Sequence, residues 1–455
     1  MGAEAVIPIR GATDWAIPPV PGTVYGPRTE QVLDVSLGQG QVRVGVLCHV
    51  MDGATECSAF TFDERWLRDR RCFGLSPDLR HHTSGQWKKA PSGRGSPFFA
   101  ALADTRPNGF ALAVLDRCLG QSFTQAHQTL DMESRALTNL CAVHDHCRLG
   151  ALRVRPQGSK VATLPPTIDL PTYADLDAMF TAVAAFEQGD ADRRHLGLLL
   201  SSATSLGGSR PKISFVQDNG SLAVARFPRV SDKFAVTRAE ALAYQLAWAA
   251  GVQVVEVRLK HCVRGSVAIT QRFDRPEGNG RQPYLSASSL LLAEEGDEVS
   301  ILDLLKGMRA FCEDFSADAR QLWRRLMFKY LINNADASLR KIGFVYGGGD
   351  HWRLAPAIGL FPGVDPRTGD AIPSAPELGP LGDVGTLLRM SPAFALSQAE
   401  ALSILAYMVE VIGRWRTVAA QFSVGLKPVE MEMLEGTMNS VHLQQARERV
   451  GRRRA

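Results

Sequence analysis

The stretch Leu196–Pro228, LGLLLSSATSLGGSRPKISFVQDNGSLAVARFP, decides the fold. It reads as the end of a helix, a glycine loop at Gly207-Gly208, a strand, a turn at Asn219-Gly220 and a second strand. Asn-Gly between two alternating apolar runs is a hairpin signal, because both residues accept positive φ values at low cost. Beyond it, TRAEALAYQLAWAAGV (237–252) carries apolar residues three and four apart and stops at Gly251. That is the pattern of an amphipathic helix closed by a glycine. VVEVRLKHC (254–262) and GSVAITQRFD (265–274) then read as two more strands.

Upstream, VLDVSLG, VRVGVLCHV and CSAFTFD between Thr23 and Phe62 alternate or run apolar between glycine breaks, which predicts short antiparallel strands. Segment 96–150 reads as mostly helical from the Ser-Pro start of SPFFAALAD. The Pro-rich PQGSKVATLPPTIDLP (156–171) reads as a linker, and TYADLDAMFTAVAAFEQG (172–189) as a capped helix. Downstream of Arg275 the chain turns helical in LSASSLLLAEEG, QLWRRLMFKYLI and QAEALSILAYMVEVIGRWRTVAAQF, interrupted by the hairpin-like IGFVYGGGDHWRLAPA (342–357). The expectation is an α+β fold: an accessory β-rich subdomain (1–157), a mixed small lobe (158–275), a helical large lobe (276–445) and a basic tail (446–455).

A chain of 455 residues exceeds one ordinary core, so several packed subdomains are expected. The net charge of +4 is nearly balanced, which gives little support for broad nucleic-acid binding. The exception is the end, where Arg447, Arg449, Arg452, Arg453 and Arg454 cluster; a solvated end is the ordinary reading, with DNA or an acidic partner face as the alternative. MGAEAVIPIR lacks the basic start and apolar core of a secretory signal, and no run of eighteen apolar residues suggests a membrane span. Eight scattered cysteines read as reduced thiols, so the expected compartment is the cytoplasm. Cys141, His144, His146 and Cys147 are zinc-type residues, but their spacing fits no standard ligand pair, and no metal is assigned to them.

Glycine loop, hairpin, helix and two strands is also the order of a kinase small lobe. Five blocks, DHCRLGALRVRP (145–156), SLGGSRPKISF (205–215), ARFP (225–228), RFDR (272–275) and NNADASLRKIGF with HWRLAPAIGLFP (333–362), resemble the HipA family of bacterial serine/threonine toxin kinases. The resemblance covers roughly residues 23 to 420 and implies a two-lobed, protein-kinase-like HipA fold. It implies ATP as cofactor, a small helix-turn-helix antitoxin as partner, and a translation-related protein as substrate. Contact with DNA would be indirect or through the tail.

Phosphoryl transfer needs a phosphate cradle, a magnesium ion, an oriented acceptor hydroxyl and stabilisation of developing charge. Gly207 and Gly208 can turn backbone N–H groups onto an anion, and Arg210 and Lys212 add charge. By the resemblance, Ser205 falls at the family's self-phosphorylated serine, and phosphate there would repel the nucleotide. Arg226 stands where the family's strand lysine pairs with phosphates; its wider fork is not equivalent. Glu240 is its expected partner. Gln271 to Phe273 match the hinge beside adenine.

The catalytic loop departs from the family's Asn-Thr-Asp-x-His-x-x-Asn. Here Asn334-Ala335-Asp336-Ala337-Ser338-Leu339-Arg340-Lys341 retains Asp336, the base position, but places Ser338 at the His and Lys341 at the metal-binding Asn. The family's second metal ligand, the Asp of Pro-x-Tyr-Asp, is Gly359. Magnesium wants oxygen ligands in an octahedron, so the usual site is expected not to form. Two alternatives stay open: Lys341 sits against the phosphates and supplies part of the metal's charge, or Asn333, Asn334, Asp350 or Asp365 rebuild a displaced site. Arg106–Phe110 also departs from the family's Asp-x-Trp-Gly-Arg, which puts inherited partner contacts in doubt. The leading expectation is a pseudokinase or strongly impaired kinase. The competing readings are an active ATP-dependent kinase toxin with a rearranged metal site, and a DNA-associated regulatory subunit with an antitoxin.

Overall fold

The computed structural model describes residues 28–53, 55–81, 85–90, 95–120, 134–157, 169–202, 207–276, 280–294, 297–334, 338–363 and 384–451. The first sheet contains β1 (Thr29–Leu37), β2 (Val42–Asp52), β3 (Thr55–Phe62), β4 (Gln86–Lys89) and β5 (Leu152–Pro156). Its order is β4-β3-β2-β1-β5, antiparallel throughout. The expected alternation holds: Leu33 and Val35 of β1 and Phe60 and Phe62 of β3 are buried on one face. β5 is the far end of the 145–156 block, which returns after the helical segment to pair with β1.

The second sheet is built from β6 (Lys212–Val216), β7 (Leu222–Arg226), β8 (Val257–Cys262) and β9 (Gly265–Gln271), in the order β6-β7-β9-β8. The β6–β7 turn places Gly220 at φ +79°, and the Asn219 side chain accepts from the Ser221 N–H at 3.0 Å. The Val236–Ala249 helix crosses between β7 and β8, as its periodicity predicts. This lobe has its own core, including Met179, Phe180, Ile213, Phe215, Phe227 and Val267. Phe110, Val114 and Leu115 of the Phe110–Gly120 helix share that core, so a helix of the accessory region is built into the small lobe.

The third sheet is β10 (Tyr284–Ser286), β11 (Gly343–Gly348) and β12 (His351–Leu354), flanked by helices. LSASSLLLAEEG yields only a short helix, Ala287–Leu291, because 284–286 pairs as β10 and Leu292 turns left-handed at φ +55°. The long final pattern breaks at Arg414 into Gln398–Gly413 and Trp415–Ala419. The accessory region packs directly on this lobe: Phe73, between β3 and β4, stacks on Tyr346 with ring centroids 3.9 Å apart. Asp104 accepts from the Ser286 N–H at 2.6 Å and from its hydroxyl at 2.8 Å.

Arg447 and Arg449, at the chain end, are exposed. A helix runs Val441–Gly451 with Leu443 and Ala446 fully buried, so Arg447 and Arg449 are held on a packed helix. Arg452 to Arg454 lie outside the described residues. Among the described residues no helix is long and apolar enough to cross a membrane.

Candidate functional site between the glycine loop and the 338–363 segment

The ends of β6 and β7 carry Lys212 and Arg226 directly opposite each other in register. Arg226 Nη1 donates to Glu240 Oε1 at 2.8 Å, joining the strand to the Val236–Ala249 helix as expected. One turn along that helix, Tyr244 lies beside the same guanidinium, 6.0 Å from ring centroid to Arg226 Cζ. Its hydroxyl accepts the Gly359 N–H at 3.1 Å. The Gly359 carbonyl accepts from Asn334 Nδ2 at 3.0 Å. Arg226, Glu240, Tyr244, Gly359 and Asn334 thus form one connected network across both lobes.

Gly359 sits at φ +69°, a left-handed conformation that any residue with a Cβ enters at a cost. A Cβ there would lie 3.4 Å from Lys341 Cδ, so the aliphatic stem of Lys341 runs over the glycine. Lys341 and Gly359, the two positions the resemblance assigns to metal ligands, are thus neighbours. Ser338, at the family's histidine, accepts from the Arg340 N–H and caps the Leu339–Lys341 turn. Asp336 lies outside the described residues, as do Ser205 and Asp365.

Charge at the site is strongly cationic. Burial pushes the Lys212 ammonium down to about 7, and the neighbouring charges of Arg226 and Lys341 act in the same direction. Glu240 opposes them. Arg210 acts on Lys212 in the same direction as Arg226 and Lys341, and it also pairs with Asp232 at 2.9 Å. Lys212 Nζ donates to the Gly207 carbonyl at 2.5 Å, and the Gly208 N–H donates to Asn108 Oδ1 at 3.0 Å. Neither contact was legible in the local sequence, although 106–110 stood out as unusual.

The hinge segment does structural work. Gln271 is exposed at the end of β9, and Phe273 packs against Tyr284 with centroids 5.7 Å apart. Between them Arg272 is buried, donating to Asp274 at 2.7 and 2.6 Å and to the Cys147 carbonyl at 2.9 Å. Asp274 also accepts the Gly150 N–H at 2.7 Å and an Arg275 N–H at 2.7 Å. The blocks 145–156 and 272–275 are therefore two halves of one buried clamp. The Arg272 and Arg275 charges hold the Asp274 carboxyl far below the usual carboxylate range, although burial acts against them.

Cys141 and Cys147 are buried, and burial pushes both thiols up to about 11. Asp350 is exposed at the β11–β12 tip, where it accepts the Gly74 N–H at 2.9 Å from the accessory region. Among the described residues, no three His, Cys, Asp or Glu side chains converge in a way that could hold a metal ion.

Residues 204–416 match the HipA-like C-terminal domain family. HipA of Shewanella oneidensis MR-1, solved with HipB and operator DNA as a toxin–antitoxin system, aligns with a TM-score of 0.61 at 17% identity. The alignment covers 92% of this chain and 97% of that one. The Helicobacter pylori proinflammatory kinase CtkA aligns with a TM-score of 0.41 at 15% identity, over 54% of this chain and 93% of that chain. No curated protein matches the chain by sequence. The matched segment begins beside the glycine loop and runs through the whole 333–362 block: residues 204–416 are similar to the HipA-like C-terminal domain, and the chain has a two-lobed HipA-like fold.

Proposed function

We propose that this protein is a HipA-like pseudokinase, or a strongly impaired kinase, that binds the polyphosphate of a nucleotide on fixed protein cations. The observation that carries this reading is Lys341 lying over Gly359 while its charge acts on Lys212 beside Arg226. Arg226, Lys212 and Lys341 would hold the phosphates of ATP; the nucleotide would supply the phosphoryl group.

Magnesium does not fit the residues present. A hard dication needs several oxygen ligands, usually one or two of them carboxylates. Here one family position is glycine and the other an ammonium, and the Glu240 carboxylate is committed to Arg226. The Asn334 side-chain amide donates to Gly359 O. At ~4 Å and an effective dielectric near 20, an ammonium opposes each unit of the ion's charge by about 4 kcal/mol.

The test is an ATP titration by calorimetry in EDTA and again in Mg²⁺. Affinity within about threefold in the two buffers supports the reading; binding that appears only with the metal refutes it. The intact Arg226–Glu240 pair favours a second reading, since an ordered lysine–glutamate pair belongs to the active state of protein kinases. Under it, labelled ATP with Mg²⁺ or Mn²⁺ marks Ser205 or a protein substrate, and Asp336→Asn abolishes the mark. A small DNA-binding antitoxin is the partner class this family reading implies, because the Shewanella HipA was solved with HipB on operator DNA.

A further inference from the structure

The anion-binding face of the glycine loop is already engaged, and its occupant comes from the accessory region. Asn108 Oδ1 accepts the Gly208 N–H at 3.0 Å. The next contact runs the other way, from the Phe110 N–H to the Gly208 carbonyl at 3.1 Å. Between them Gly109 adopts φ +55°, and a Cβ on it would come within 2.3 Å of that carbonyl. A Cβ on Gly207 would lie 2.7 Å from Asn108 Oδ1. Glycine on both sides of the contact is therefore what lets the two backbones meet. The turn is not loosely placed: Phe110 is buried in the small-lobe core, edge-on to Phe186 with ring centroids 5.5 Å apart.

A loop N–H that cradles phosphate must be unshared when the ligand arrives. An amide oxygen and a phosphate oxygen are acceptors for the same donor, so one excludes the other. Lys212 adds to the closure by donating to Gly207 O at 2.5 Å, which spends on the loop's own carbonyl a cation that would otherwise face an anion. We propose that Asn108 is a built-in competitor in the phosphate cradle: a nucleotide polyphosphate enters only by displacing the 108–110 turn from Gly208. The accessory region thereby sets the affinity of a site it does not otherwise form. This inference rests on the loop being the phosphate cradle of the reading above.

The experiment titrates full-length protein with ATP in EDTA, comparing wild type with Asn108→Ala, Asn108→Asp and Lys341→Met. A net hydrogen bond of ordinary strength makes Asn108→Ala tighter by about fivefold. Asn108→Asp, a charged acceptor on the same N–H and a repellent to phosphate, binds more weakly than wild type. Hydrogen exchange supplies an independent reading, with the Gly208 amide slow in wild type, fast in Asn108→Ala and slow again when ATP is added. If Asn108→Ala folds with wild-type melting and its ATP affinity is unchanged while Lys341→Met loses affinity, the competitor idea is overturned and the cradle reading stands. If no variant binds ATP or inorganic tripolyphosphate, the cradle reading falls and takes this inference with it.

Discussion

Replacing Glu240 by Gln separates two roles that an ordinary kinase couples. The Arg226–Glu240 contact is 2.8 Å between side chains that retain only 16% and 10% of their exposure. At that distance and an effective dielectric near 20, the gross attraction is about 6 kcal/mol. Most of it offsets the cost of taking both charges out of water. Gln keeps an oxygen that can accept from Arg226, so the expected loss of stability is about 2–3 kcal/mol rather than that of a bare deletion. The ligand effect has the opposite sign. Glu240 supplies the negative charge that opposes the Arg226 and Lys341 effects on Lys212, and removing it leaves the site more attractive to phosphate. A unit charge about 4 Å away contributes about 1 kcal/mol even at the dielectric of water, or about fivefold in affinity. Urea unfolding should therefore show a weaker fold, and calorimetry in EDTA a tighter ATP complex. If affinity falls together with stability, Glu240 is aiming Arg226 at the ligand, and the electrostatic account of the site is wrong.

Restoring the family's ligands with Lys341→Asn and Gly359→Asp should make the ATP-induced rise in melting temperature depend on Mg²⁺; no metal dependence would refute metal loss as the cause of impairment. Gly359→Asp alone should not do so, because its carboxylate would sit against the Lys341 stem, and the left-handed backbone costs about 1–2 kcal/mol in melting stability. Metal-free ATP affinity should fall as pH rises through 7. Lys212 is pushed down to about 7 in the free protein, phosphate favours its charged form, and binding above that pH must take up a proton. The slope approaches tenfold per pH unit at most, and Lys212→Arg should flatten it. Asp274→Asn leaves the Arg272 and Arg275 charges in the clamp without their carboxylate, which should cost about 3–5 kcal/mol in urea unfolding.

The parts of this protein legible in its sequence are those whose physics is local. Alternating apolar residues around Asn219-Gly220 gave the β6–β7 hairpin, and the three–four spacing from Val236 to Ala249 gave the helix that carries Glu240. The pairing of Glu240 with Arg226 followed from family resemblance and is present. What escaped is contact between distant segments. Asn108 meets Gly208 one hundred residues away, and nothing in Arg106–Phe110 alone points there. The resemblance matches Gln271 to Phe273 to a hinge, but says nothing of the buried clamp that the charged groups of Arg272, Asp274 and Arg275 close on Cys147 to Gly150. β4 escaped because Gln86–Lys89 offers a single large apolar side chain, Trp87, and that one is exposed. The helix under Arg447 and Arg449 also escaped: Leu443 and Ala446 bury one of its faces while the two arginines stay exposed.

The substitutions at 341 and 359 bear differently on binding and on transfer. A metal ion bridging two phosphates can follow charge as it moves from the transferred group to the leaving oxygen, which is why it lowers the barrier. An ammonium on Lys341 is fixed by its stem against Gly359 and by the capped turn from Ser338. On the proposed reading its attraction for a polyphosphate would be nearly the same before and during reaction, and uniform attraction tightens a complex without accelerating it. Lys341→Met should therefore weaken ATP binding in EDTA by tenfold or more while leaving any residual single-turnover rate of phosphate transfer, measured with saturating Mn²⁺ and labelled ATP, within about threefold of wild type. A variant that loses rate and binding in equal measure would mean that Lys341 acts on the transition state, and the protein would have to be treated as a kinase that has exchanged its metal for a lysine.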